Sequence, residues 1–156
     1  MNIRPHSPAE SAALLALWER SVRATHTFLT ETDIVFYRPL VVEFLASEGL
    51  ELFVLTDKAG MPLGFLALSG SAIEALFLEP AQLRRGGGRR LVAHAQEVRG
   101  GALTVDVNEQ NAAASAFYHA LGFNVVGRSP LDDWGRPYPL LHMRREAPGA
   151  EEAGDS

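Results

Sequence analysis

Two stretches of this chain carry residue types that can do chemistry. The first is LRRGGGRRLVAHA, where Gly86, Gly87 and Gly88 lie between Arg84, Arg85 and Arg89, Arg90, just ahead of a helix-like pattern. Glycines let backbone N–H groups turn towards an anion, and a helix N-terminus adds partial positive charge. The arginines add charge-assisted donors. No Lys-Ser/Thr pair follows the glycines, so this is not a P-loop, and it is not a GxGxxG dinucleotide fingerprint. The other reading is a flexible turn with solvated arginines, and residue types alone do not choose between the two.

The second stretch is VDVNEQNAAASAFYHALGF, which opens like a strand and closes like a helix, with Asn108 and Asn111 at the junction. On a helix, Asn111, Ala114 or Ser115, and Tyr118 fall along one stripe, because seven residues make nearly two turns. That stripe is small and polar and ends in a phenol, so a long ligand can lie along it. Ala113, Ala116 or Phe117, and Ala120 are expected to form the neighbouring stripe that faces the core. The asparagine amides can pair with a peptide-like group, and Tyr118 can donate a proton. Taken alone, the stretch reads more simply: Asn111 caps the helix and Tyr118 is an ordinary half-buried tyrosine.

The elements that must position these stretches follow from periodicity. Ser7, Pro8 and Glu10 suit a helix start, and Leu14, Leu17, Trp18 and Val22 then repeat at helical spacing. A second helix is entered at Thr30 or Thr32, with a break or kink expected at Pro39. LELFVLT and LGFLALSG are strands joined by a turn at DKAG, and SAIEALFLEP is a third strand ended by Pro80. A helix with Leu91, Ala95 and Val98 on one face follows the glycines, and His94 is expected on an exposed face. The strand ALTVDVN, the alanine-rich helix and the strands FNVVGRS and YPLLHMR complete the chain. The order is strand, two helices, three strands, helix, strand, helix, two strands: an α/β (α+β) layer on one mixed, mostly antiparallel sheet.

With 156 residues, 47% of them apolar, one domain with a full core is expected. Its bounds are taken as 1–145, with 146–156 a disordered acidic tail. The absence of cysteine excludes disulfides and thiolate chemistry. No apolar run is long enough to span a bilayer, and the start lacks a signal-like hydrophobic region, so a cytoplasmic protein without membrane contact is expected. The net charge of −5 is concentrated in the tail acids. A near-neutral body with one arginine patch argues against broad nucleic-acid binding and fits a small anionic ligand. The histidines show no ligand-like spacing, so no metal is expected.

Taken together, EPAQLRRGGGRRLVAHA and VNEQNAAASAFYHALGF, within this element order, resemble the GCN5-related N-acetyltransferase (GNAT) family over roughly Met1 to Met143. The family's acyl-CoA turn is usually Gln/Arg-x-x-Gly-x-Gly/Ala. Gly86 and Gly88 match its small positions, Leu83 stands at the Gln/Arg position, and Arg84 stands where glycine is common. Among bacterial members, RSVRATHTFL, LFLEP, VNEQN and GRPYPLLHM are most similar to a peptidyl-lysine acetyltransferase type. The resemblance implies a twisted sheet flanked by about four helices. It also implies acetyl-CoA in a V-shaped splay between the strand of Glu74–Leu78 and that of Thr104–Val107. Cofactor contacts would come from Leu76, Phe77, Leu78, Leu83, Arg84, Arg85, Gly86, Gly87, Gly88, Arg89, Asn108, Asn111, Ala114 and Tyr118. An amine, either a protein lysine or a small molecule, would attack directly.

In that scheme Tyr118 protonates the departing thiolate and Glu74 removes the amine's proton through water. A solvent-facing or salt-bridged Glu74 is nearly as good a reading. His26 and Phe28 would line the acceptor site together with Asp133 and Trp134. His26 is a second candidate base, and a helix-capping histidine is the plainer alternative. The turn DDWGRPY is more simply explained as a structural hairpin. A non-catalytic acyl-CoA-binding sensor on the same fold, and a homodimer, remain open at this level.

Overall fold

The computed structural model describes residues 1–148. Strand β1 (Asn2–Pro5) leads through a 3-10 turn (Pro8–Glu10) into helix α1 (Ser11–Thr25). The Ser7 N–H donates to Glu10 Oε1 at 2.9 Å, and Arg4 donates to both Glu10 oxygens. These donors, Arg4 above all, hold the Glu10 carboxyl down to about 2. Helix α2 (Glu31–Leu45) starts at Thr30, whose Oγ1 accepts the Asp33 N–H at 3.1 Å while Asp33 Oδ2 accepts the Thr30 N–H at 2.9 Å. This reciprocal cap satisfies two donors that a helix start otherwise leaves open.

Of the break or kink expected at Pro39, the break does not occur: α2 runs through it. Proline removes the hydrogen bond that would reach the Val35 carbonyl. Val35 lies on the solvent face at 57% exposure, where water can replace that bond. Ile34 and Leu45, buried on either side of the proline, hold both halves to the core.

Strands β2 (Glu51–Thr56), β3 (Pro62–Ser69) and β4 (Ala72–Leu78) follow. The β2–β3 turn is built as expected, with Asp57 Oδ1 accepting the N–H groups of Ala59 and Met61 at 2.9 and 3.0 Å. Helix α3 (Gly87–Arg99), β5 (Leu103–Asn108), α4 (Ala112–Ala120), β6 (Asn124–Ser129) and β7 (Leu140–Arg145) complete the chain. The strand order is β1-β2-β3-β4-β5-β7-β6. The pairs β1–β2, β2–β3, β5–β7 and β6–β7 are antiparallel, and β4–β5 is parallel. That parallel ladder comprises Ala72↔Thr104 and Ile73↔Val105.

The chain forms two compact units, Met1–Ser69 with Glu74–His94, and Gly70–Ile73 with Ala95 onwards. In the first, Leu52, Val54, Phe65, Ala67 and Ala75 pack against Leu14, Leu17, Trp18, Val22, Ile34 and Leu45. These strand residues alternate in sequence and so share one face. On β2 the intervening Phe53 meets His94 of α3 edge-on, with ring centroids 4.5 Å apart. His94 is therefore half-buried, with its Nε2 sealed from solvent, and not on the exposed face expected for it. In the second unit β5 runs beside β7 from Leu103↔Arg145 to Asn108↔Leu140.

Of the expected acidic tail, residues 149–156 lie outside the described chain. Glu146 is described and accepts from Arg144 Nε at 2.8 Å. Among the described residues, no helix is long and apolar enough to cross a membrane.

Candidate active site

In the first unit, β4 ends at Leu78 and the chain turns through Glu79–Gly86 into α3. Glu79 anchors the turn: its N–H donates to the Leu63 carbonyl at 2.8 Å and its carboxylate accepts from Arg20 Nε at 3.0 Å. Arg84 takes a left-handed φ of 64°, and Gly86 follows at 87°. The family pattern that sets glycine at the Arg84 position thus coincides with a left-handed backbone, which an arginine occupies here at some strain.

The Gly86 carbonyl accepts the Arg90 N–H at 3.1 Å, so Gly86 is the residue that caps α3. Having no side chain, it cannot occupy the next N–H groups, those of Gly87, Gly88 and Arg89. Gly87 and Gly88 are buried, and a Cβ on Gly87 would come within 2.9 Å of Leu55 Cδ2. Arg84, Arg85, Arg89 and Arg90 are exposed and enter no ion pair among the described residues. Donors and cations lie together on one turn with no acidic partner among the described residues, which is the electrostatic form of an anion site. Leu83, at the Gln/Arg position, is 39% exposed and adds no donor.

On β4 itself Glu74 is exposed, Leu76 and Phe77 are half-buried and Leu78 is buried. Gly64 of β3 permits this strand's close approach, since a Cβ there would lie 2.7 Å from the Phe77 carbonyl oxygen. At the end of α1, His26 packs against the rings of Phe28 and Phe77 at 5.5 and 6.4 Å. Its N–H also closes the helix onto the Val22 carbonyl at 2.7 Å, so the plainer capping role is real. Burial lowers its pKa to about 4. Between that value and the ordinary one the unfolded chain binds more protons, so acidification through this window costs stability.

In the second unit, the Asn108 carbonyl accepts the Asn111 N–H at 2.9 Å, and Asn111 Oδ1 accepts the Ala114 N–H at 3.1 Å. Asn111 is the N-cap of α4 and is buried. The expected facing of α4 is reversed. Asn111 and Tyr118 are buried, Ala114 and Ser115 are half-buried, and Ala113, Ala116 and Ala120 are exposed. An alanine gains little from burial, whereas a tyrosine ring gains much. Tyr118 takes the core side, T-shaped against Phe123 at 5.3 Å. Burial raises its pKa above the ordinary phenol value, so the hydroxyl keeps its proton and is available as a donor or an acid.

Asp133 and Trp134 are exposed in the turn before β7. Asp132 organises that turn, its Oδ1 accepting the N–H groups of Trp134 and Arg136 at 3.0 and 2.9 Å. The hairpin reading therefore accounts for this segment without a ligand. One further chain of polar groups has no local signal in the sequence. Asp106 Oδ1 lies 2.6 Å from His142 Nδ1, and His142 Nε2 lies 2.7 Å from Ser129 Oγ. Only the register Asp106↔His142 brings them together. The ring rests over Gly127, where a Cβ would meet it at 3.4 Å, so the chain ties β5, β7 and β6. Among the described residues no acidic or histidine cluster could hold a metal.

A sequence model of the family described as "Acetyltransferase (GNAT) domain" matches residues 32–145. The chain belongs to the GNAT acetyltransferase family. Two relatives named "Peptidyl-lysine N-acetyltransferase YjaB" fit this. That of Salmonella typhimurium is 44% identical over 143 residues, 92% of this chain and 97% of the relative. The solution structure of apo-form YjaB from Escherichia coli is 43% identical, with a TM-score of 0.84 over 92% of this chain and 95% of that one. The PaiA N-acetyltransferase of Thermoplasma acidophilum, solved in complex with coenzyme A, shares the fold at 17% identity, with a TM-score of 0.74 over 94% and 99% of the two chains. This GNAT protein is an N-acetyltransferase, which sets aside the non-catalytic sensor.

Proposed function

We propose that this enzyme takes acetyl-CoA as its acyl donor and acetylates the side-chain amine of a protein lysine. The observation that carries the donor is the start of α3: a side-chain-free cap at Gly86 and four arginines without acidic partners among the described residues. Pyrophosphate oxygens are the ligand that such a turn suits, received by the N–H groups of Gly87, Gly88 and Arg89 with Arg84 and Arg85 beside them. The coenzyme A carried by a protein of the same fold supports this reading. Backbone groups of Leu76, Phe77 and Leu78 would hold the pantetheine arm and acetyl carbonyl, and a preplaced N–H there would stabilise the oxyanion. Asn108, Asn111, Ala114 and Leu83 complete the proposed cofactor contacts.

The lysine acceptor rests on the YjaB relatives, whose names specify peptidyl-lysine. A lysine amine must lose a proton before it attacks, since its ordinary pKa is about 10.4. Glu74 through water and His26 are the candidates to receive it, and Phe28, Asp133 and Trp134 are the proposed acceptor contacts. Tyr118, held protonated by burial, supplies the proton that the leaving thiolate needs. The domain is taken as residues 1–145 and its place as the cytoplasm.

The test is thiol release from acetyl-CoA with lysine-bearing proteins beside a panel of small amines, with acetylated sites located by mass spectrometry. Lysine acetylation in the protein arm is expected. Turnover on small amines alone would replace the acceptor class.

A further inference from the structure

The Thr25 hydroxyl has a single hydrogen and two neighbours. It lies 2.8 Å from the Ser21 carbonyl oxygen, which can only accept, and 2.8 Å from His26 Nδ1. With its proton given to the carbonyl, the Thr25 oxygen can only accept from the ring. This pairing places the imidazole hydrogen on Nδ1 and leaves the lone pair on Nε2, a tautomer assigned from the hydrogen-bond partners. Helix geometry sets this arrangement, because the Ser21 carbonyl is the i−4 acceptor of residue 25 in α1. The ring is held further by the Leu29 N–H, which closes onto the His26 carbonyl at 3.0 Å, and by the rings of Phe28 and Phe77. Among the described residues no hydrogen bond engages Nε2.

Two features suit this lone pair to an amine. Phe77 lies between Leu76 and Leu78, the residues whose backbone is proposed above to hold the acetyl arm, so His26 stands beside that strand. The ring is also uncharged at neutral pH, because burial keeps its pKa low. An exposed carboxylate such as Glu74 stabilises the ammonium form of a lysine, the form that cannot attack. A neutral acceptor among aromatic rings favours the free amine, since desolvation lowers an amine's pKa.

We propose that His26 Nε2 accepts the N–H of the attacking amine, and that Thr25 is the positioning residue that keeps His26 in this tautomer. The proposal rests on the acetyltransferase reading above. The amine nitrogen attacks the thioester carbonyl carbon and a C–N bond forms. The C–S bond breaks, its electron pair leaves with sulfur, and the sulfur is protonated to the CoA thiol. The surplus proton on nitrogen passes to Nε2 and on to water, leaving an N-acetyl amine.

The tautomer is read without turnover, from long-range ¹H–¹⁵N spectra of the wild-type protein at pH 7. A protonated Nδ1 and an unprotonated Nε2 are expected for His26, and the opposite assignment overturns the proposal. In kinetics, His26→Ala is expected to lower kcat about 10²-fold at saturating amine, within the span of a positioned acid or base, with the acetyl-CoA Kd unchanged. His26→Gln should recover part of the loss, because its carbonyl offers an acceptor. Thr25→Val is expected to cost about tenfold and to populate the Nε2–H tautomer, while Thr25→Ser restores both. Wild-type kcat and KM for the amine in a folded His26→Ala variant would overturn the proposal. Absence of wild-type turnover on every amine would instead strike at the acetyltransferase reading, and the spectra would still decide the tautomer.

Discussion

At the start of α3 the capping residue is Gly86, which has no side chain, and four arginines around it have no acidic partner among the described residues. At the start of α4 the capping residue is Asn111, which turns its Oδ1 onto the Ala114 N–H, and the helix then buries Tyr118. Both helices follow a strand and a short turn. One start leaves its N–H groups and positive charge uncommitted, and the other commits them to its own fold. Elsewhere arginines are used up internally: Arg4, Arg20, Arg23, Arg38, Arg128 and Arg144 all pair with glutamates. Uncommitted donors cost little in water and gain much from an anion. On the proposed reading the α3 turn therefore receives the phosphates, while α4 adds the contacts of Asn111 and Ala114 and one acidic hydrogen.

The largest effect is expected at the open turn. Gly88→Glu should abolish acetyl-CoA binding, measured calorimetrically, with an unchanged circular dichroism spectrum. The new side chain blocks backbone approach and its charge repels phosphate. An unaltered Kd would break the assignment of the turn.

On the closed helix, Tyr118→Phe should lower kcat by about 10²–10⁴-fold with little change in acetyl-CoA affinity, because the ring still fills its place while the acid is lost. If the Kd rose while saturated turnover stayed the same, Tyr118 would be a binding residue and not the acid.

Asn111→Ala sharpens the distinction at lower energy. It should reduce stability by about 1 kcal/mol, as loss of a helix cap does, in denaturant titrations. A tenfold weaker acetyl-CoA affinity without a stability change would mean that Asn111 serves the ligand and not the helix.

The smallest effect belongs to the arginines. Arg84→Gln with Arg85→Gln should weaken acetyl-CoA several-fold at low salt, and the difference should shrink as ionic strength rises, since exposed charges are screened. A salt-independent loss would point to a structural role for the left-handed Arg84.

Much of this protein was legible because its signals are local. The cap at Thr30, the Asp57 turn and the glycines ahead of α3 each depend on residues within a few positions, so short-range geometry decides them. Element order followed from periodicity for the same reason. The family followed from two motifs whose residues keep their spacing. Three features departed from local preference where a longer-range contact outweighed it. Pro39 stays inside α2 because residues on both sides of it are anchored in the core. His94 is drawn inward by Phe53, 41 positions away in sequence. The polar stripe of α4 turns inward because the Tyr118 ring has more apolar surface to bury than the alanines opposite.

What the sequence by itself determined is where helices and strands begin, which turn lacks side chains over its N–H groups, and which tyrosine and histidine are available. Tertiary structure alone decided which arginines pair with glutamates and which face of α4 is covered. It also decided that Asp106, His142 and Ser129 meet, and that His26 loses water and its charge. The reason is physical. Caps and turns close hydrogen bonds within a few residues, whereas burial, register and ion pairing depend on groups brought together only when distant segments pack.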